Sequence, residues 1–137
     1  MKNFILSNQL KPADRVMVPK SVFGLVQHHA IYLGMDHFGR DIIAENIVGK
    51  YVCTTPAEEF FVKNPGVTRI ERFTGNGLAR RQAVERALKL MGKPYNLIDF
   101  NCEHFANKVQ TNIPFSPQLR FGVGVLITLI LIAVFSE

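Results

Sequence analysis

Cys102 stands between Asn101 and Glu103 in the stretch FNCEHFANKVQ, directly ahead of Phe105, Ala106 and Val109, which fall on one helical face. Three readings are open for such a residue: a small packed hydrophobe, a metal ligand or a nucleophile. Placement in the first turn of a helix favours the last. Unpaired backbone N–H groups and the positive end of the helix dipole stabilise a thiolate there, and the same groups can donate to the oxyanion that forms when sulfur attacks a carbonyl. Asn101 is a good N-cap and relieves the thiol of that duty. A metal site has little support, because Cys102 and His104 have no second pair at zinc-ligand spacing, and no cofactor is expected.

A nucleophilic cysteine needs a base, usually an imidazole held by a third polar group. HHAIYLG, residues 28–34, is β-branched and aromatic and reads as a strand; MDHFGRD is a turn, and DIIAENIV returns as the second arm of a hairpin. His28 and His29 must point to opposite faces of that strand, so only one can face a helix packed on the sheet. Glu45 and Asn46 on the returning arm also face opposite sides, and either can orient an imidazole. A structural histidine beside a packed cysteine fits the same pattern. His37 lies in the turn, where solvent is expected, and Cys53 follows a β-like KYV, where packing is expected.

The elements that must position these groups follow from periodicity. RVMV, after a turn on Pro12, Ala13 and Asp14, alternates like a strand, and Val67 to Phe73 is a further strand candidate. TTPAEEFF has the pattern of a helix start, with a Thr cap, an early proline and two acids. From Leu78 to Met91 the apolar residues recur every 3.6 positions, and Gly92 and Pro94 end the run. The predicted class is α+β, a small antiparallel sheet packed on helices.

At 137 residues, 47% of them apolar, the chain has material for one packed core and not two. A formal charge of +5 invites an anionic partner, but the Lys and Arg residues are scattered, so nucleic acid is not expected and a membrane surface is favoured. Two cysteines make no disulfide framework, and the first residues lack the order of a signal peptide; an intracellular, reducing setting is expected. Near the end NIPFSPQLR supplies two prolines, and Phe121 to Phe135 then runs without a charge. Those fifteen residues would cover about 22 Å as a helix, short of the roughly 30 Å hydrocarbon thickness. The run reads either as a buried C-terminal helix or, favoured by the absence of a polar face, as a membrane anchor or shallow insertion. The expected organisation is a domain over residues 1–112, a hinge over 113–120 and a hydrophobic tail over 121–137.

NCEHF resembles the NC motif of the lecithin:retinol acyltransferase-like family, and HHAIYLG resembles its H-box. LKPADRV is similar to the Pro-Gly-Asp strand opening upstream of that box, and the terminal apolar run is similar to the tail of the family's small phospholipase/acyltransferases. The resemblance implies a circularly permuted papain-like fold related to the NlpC-type hydrolases, with histidine ahead of cysteine in the chain. Order is no objection, since such sites are defined by geometry. It implies Cys102 as nucleophile and His28 as base, because His29 falls where the family has an aromatic residue. The third position departs: vertebrate members have a second histidine on the next strand, DIIAEN has none, and Asn46 is preferred over Glu45 in that role. Asn101 and Tyr32, inside the two motifs, are candidate substrate-binding residues. The implied activity is a lipid acyl hydrolase or acyltransferase working through a Cys102 thioester, with a phospholipid or other acyl-lipid as substrate. A peptidase or amidase of the NlpC type and an interaction module without turnover are the rival expectations.

Overall fold

The computed structural model describes residues 2–21, 25–67 and 69–135. Five strands form one antiparallel sheet: β1 (Arg15–Pro19), β2 (Gln27–Met35), β3 (Asp41–Asn46), β4 (Val52–Pro56) and β5 (Arg69–Glu71), in the order β4-β3-β2-β1-β5. The helices are α1 (Lys2–Ser7), α2 (Ala57–Lys63), α3 (Gly77–Lys89), α4 (Cys102–Thr111) and α5 (Pro117–Phe135). The α+β class is as the periodicity predicts.

The period of two in the strands divides the core into two layers. Val16, Val18, Ala30, Tyr32 and Ile43 meet Ile5 of α1 and Phe60 of α2 on one face. Ile31, Ala44 and Val52 meet Ala83 and Ala87 of α3 and Phe105, Ala106 and Val109 of α4 on the other. Small residues on α3 let it lie close to α4, while the aromatic ring of Phe105 fills the space above the sheet.

Asp14 joins β1 to the helical layer. Its buried carboxylate accepts from the Phe73 N–H at 3.0 Å and from the guanidinium groups of Arg80 at 2.9 Å and Arg72 at 3.0 Å. Burial works against its charge, but Arg80, the backbone donors and Arg72 together hold it below the usual carboxylate range. Ala13 beside it has a φ of 74°, a conformation that favours the glycine the family pattern has at this position.

Three expectations are corrected. Thr54 and Thr55 do not cap α2; they belong to β4, paired with Ala44 and Ile43, and Pro56 takes the cap position without a side-chain bond. Pairing with β3 draws these β-branched residues into the ladder, a long-range effect that outweighs the local cap pattern. The arm DIIAENIV leaves the sheet at Asn46, and the strand read over Val67 to Phe73 shrinks to Arg69–Glu71, position 68 lying outside the described residues. Helix α5 begins at Pro117. Its first turn is capped from elsewhere: Ser116 Oγ accepts the Leu119 N–H at 3.2 Å, and Glu103 Oε2 accepts the Gln118 N–H at 3.0 Å. Proline at the first helical position lacks the N–H that would otherwise go unpaired. Among the described residues no helix is long and apolar enough to cross a membrane.

Candidate active site

Cys102 is the first residue of α4, as its sequence context predicts. Asn101 caps the helix: its Oδ1 accepts the N–H groups of Glu103 at 2.9 Å and His104 at 3.0 Å, while His104 Nδ1 accepts the Asn101 N–H at 3.2 Å. This reciprocal box commits His104 to the backbone and holds the thiol at the end of the helix axis. Asn101 Nδ2 donates to Leu97 O and to Ser116 Oγ. Asn101 therefore positions the helix start, with each side-chain atom already engaged, although it also borders the cavity described below.

The Cys102 thiol lies 3.9 Å from Gln27 O, at the start of β2, close enough to His28 to help raise the pKa of that imidazole. His28 Nε2 meets Glu45 Oε2 at 2.8 Å, and Glu45 Oε1 accepts from Thr55 Oγ1 at 2.7 Å. The chain of partners thus runs from α4 through β2 and β3 to β4. Both members of the ion pair are buried. Burial alone would discharge His28, but its hydrogen bonds with Cys102 and Glu45 outweigh that penalty and raise its pKa above the ordinary value. Burial likewise opposes the charge on Glu45, yet hydrogen bonds from His28 and Thr55 hold its pKa below the ordinary value.

His28 and His29 part company as alternation requires, with an unexpected result. His28 shares its face with Ala30 and Tyr32 and lies against the Phe60 ring, 6.2 Å between centroids, on the side of α2. His29 is the one directed to α4. It is nonetheless His28 whose pKa the sulfur raises, because Cys102 sits at the tip of α4 beside the first residues of β2. His29 Nε2 accepts from Gln118 Nε2 at 2.8 Å, which places its proton on Nδ1, a buried atom with no hydrogen-bond partner among the described residues. Burial, with the charges of Arg15 and His28, pushes the His29 pKa down to about 3, so it stays neutral.

Glu45 and Asn46 also separate. Asn46 is fully buried on the α4 side, where its Nδ2 donates to Phe100 O at 2.7 Å, so it braces the segment leading into Cys102 and does not touch His28. Of the two candidates it is Glu45, not the preferred Asn46, that lies beside His28. The register explains this: Ala30 pairs with Glu45, which puts the carboxylate on the face shared by His28. Tyr32 lies in the core with its hydroxyl donating to Asp41 Oδ1 at 2.6 Å, and it does not line the cavity beside Cys102. Thr55 was not foreseen. Its signal was present in the β-branched VCTT run, which a strand reading would have paired with DIIAEN.

Cys102 opens onto a cavity of about 680 Å³ lined by Leu25, Val26, Tyr95, Leu97 and, from α5, Phe121 and Leu126. That size suits a small lipid or cofactor-sized ligand. A second cavity of about 580 Å³, bordered by Phe38, Arg40, Asp41 and Glu58, is lined by none of Cys102, His28 and Glu45.

The sequence matches the family described as Lecithin retinol acyltransferase over residues 8–114. The chain belongs to this family. The matched span holds Cys102, His28, Glu45 and Thr55 and stops short of α5. No curated protein matches the sequence. Membership of the lecithin retinol acyltransferase family supports a lipid-modifying activity of the acyltransferase or phospholipase kind, with acyl-lipids as the substrate class.

The two thiols of this family member differ in surroundings. Burial and the negative charge of Glu45 push the Cys53 thiol up, whereas Cys102 has a helix start and an imidazole beside it. At neutral pH, iodoacetamide is expected to modify Cys102 about tenfold faster than Cys53 or more, read by peptide mass spectrometry. Equal rates would remove the case for an activated Cys102.

Proposed function

We propose that the protein cleaves the acyl ester of a membrane lipid through a thioester on Cys102. The observation that supports this best is the set Cys102, His28, Glu45 and Thr55, with Cys102 lining an apolar cavity. In the first half-reaction the Cys102 sulfur attacks the ester carbonyl while His28 takes the thiol proton. The tetrahedral intermediate collapses with cleavage of the C–O bond, and His28 returns the proton to the departing alkoxide, which leaves as a lysolipid.

The second half-reaction retraces these steps. Water, an alcohol or an amine attacks the thioester, His28 removes its proton, and the acyl group leaves Cys102 as acid, ester or amide. A thioester keeps its acyl-transfer potential, so hydrolase and transferase outcomes share one intermediate and differ in which acceptor reaches it. With the Glu103 and His104 N–H groups committed to Asn101, the Cys102 N–H is the helix-start donor adjacent to the oxyanion. Glu45 keeps the imidazole oriented and stabilises its positive charge; Thr55 holds the carboxylate in turn.

Apolar walls around the thiol favour an acyl chain over a peptide, and the exposed side chains of α5, among them Val125, Ile127, Leu129 and Ile130, fit insertion into a lipid surface. Membrane association through this helix would keep the site at the depth of its substrate. The test is incubation of the full chain with vesicles of radiolabelled phosphatidylcholine, followed by peptide mapping. An acyl group on the Cys102 peptide is the expected product. If neither phospholipid nor neutral acyl ester leaves an adduct there, the enzymatic reading fails.

A further inference from the structure

Helix α5 lies outside the matched family span, yet it is joined to the catalytic helix by a buried polar cluster. Ser116 Oγ donates to Glu103 Oε2 at 2.6 Å, and the same oxygen accepts the Gln118 N–H. Gln118 then behaves as an extra rung beside β2: its Oε1 accepts the Gln27 N–H at 2.8 Å, and its Nε2 donates to His29 Nε2 and, at 3.4 Å, to Gln27 O. Gln27 O is also the backbone acceptor beside the Cys102 thiol. Ser116 and Glu103 are both buried, and burial makes such satisfied bonds hard to exchange for water. The first turn of α5 is therefore seated within one residue's reach of the nucleophile, and the direction in which the helix departs is set there.

The next turn of α5 faces the cavity. Phe121, Gly122, Val123 and Leu126 line the same space as Cys102, opposite Leu25 and Leu97. Gly122 leaves a gap in this wall, since a Cβ built on it would meet no heavy atom within 4 Å. Gly124 also has open space, but it borders a different groove with Val125, Thr128 and Leu129. The two glycines of the helix thus serve different surfaces.

We infer that α5 is one wall of an acyl-chain subsite whose depth is gauged at Gly122, so that the residue at this position decides how long an acyl chain the site accepts. This rests on the proposed lipid ester chemistry. The occupant follows from continuity: the candidate nucleophile lines the cavity, so what fills it must be attached to the carbonyl that the sulfur attacks, and its lining offers hydrocarbon contact. A single acyl chain meets both conditions. Filling the gap with a side chain removes room at one depth and leaves the polar cluster around Cys102 untouched.

Two arms of one experiment test this on the full chain. In the first, wild type, Gly122→Leu and Gly122→Phe act on p-nitrophenyl esters with acyl chains graded from short to long, and kcat/KM is recorded for each. The wild-type preference should move to shorter chains in the order Gly, Leu, Phe, with long-chain esters losing about fourfold for each methylene no longer buried. Gly124→Leu, which adds the same bulk on the other surface, should keep the wild-type profile. In the second arm, Cys102→Ala and Cys102→Ala combined with Gly122→Phe are titrated with fluorescent fatty acids of the same lengths, a measurement independent of turnover. The long chains should lose affinity in the double variant. Profiles that ignore position 122 in both arms, or that shift equally with Gly124→Leu, overturn the subsite while leaving Cys102 chemistry intact. A length cut-off in binding with no turnover in wild type would keep the subsite and reject the enzymatic reading.

Discussion

Cys102→Ala is expected to lower lipid ester turnover by roughly 10⁴–10⁶-fold, to the residue left by binding and backbone donors alone. The size of the effect follows from the absence of a substitute. The other thiol, Cys53, belongs to β4, and burial with the Glu45 charge keeps it protonated. The fold should hardly register the change. Alanine has the highest helix propensity, the N-terminus of α4 is capped by Asn101 and not by the thiol, and the sulfur's bond to Gln27 O is long. Stability should stay within about 1 kcal/mol of wild type in a thermal melt. Turnover that survives Cys102→Ala in a protein of unchanged stability would show that the lipid chemistry, if present, is performed elsewhere. Cys102→Ser should behave almost as the alanine variant, because a hydroxyl beside His28 is a far weaker nucleophile than a thiol at the same position.

Glu45→Gln and Asn46→Ala are expected to fail in opposite ways. Glu45→Gln keeps a side chain of the same shape and a group able to bond Thr55, but it removes the charge opposite His28 Nε2. Turnover should fall by roughly 10²–10⁴-fold, the usual contribution of a well-oriented acid–base pair. The imidazole titration of His28, followed by NMR, should also move down. The sign follows from the direction of the shifts. A His28 pKa raised in the folded state contributes stability that is complete below 6.5, its ordinary value, and is lost as pH rises through the raised value. A lowered Glu45 pKa contributes stability present above 4.5, its ordinary value, and lost as pH falls through the lowered one. The pair is therefore strongest between these two limits, and Glu45→Gln should lower stability within that window and flatten its fall below 4.5 and above 6.5.

Asn46→Ala leaves the ion pair intact and removes the bond to Phe100 O. That carbonyl still accepts the Asn96 N–H at 3.1 Å, so it is not orphaned, and the loss should be about 1–3 kcal/mol of stability. His28 should titrate as in wild type. If Asn46→Ala were instead to move the His28 titration while Glu45→Gln left it alone, the assignment of Glu45 as orienting group would be reversed.

Several features could be read from the chain because they are written within a few consecutive residues. The cap at Asn101, the helix start at Cys102, the alternation of HHAIYLG and the stripe ending at Gly92 each concern backbone groups and side chains less than two turns apart. The NC and H-box patterns added the family, and with it Cys102 and His28. Where local chemistry competed with pairing, reading failed: TTPAEEFF has the residues of a capped helix, but its threonines went to β4 because the neighbouring strand was available.

By itself the sequence determined an α+β domain with a thiol at a helix start, two adjacent histidines on one strand and a carboxylate beside an amide on the next. Tertiary structure decided which member of each pair meets the other. Register across β2, β3 and β4 put Glu45 and Thr55 behind His28 and turned Asn46 to the other face, and the choice depended on partners ten or more residues away. It also decided that the apolar tail is seated on Glu103, Gln27 and His29 and forms part of the wall around the thiol. Composition could show that the tail shuns water; only the polar bonds at its base, made between segments some 90 positions apart, show against what it rests.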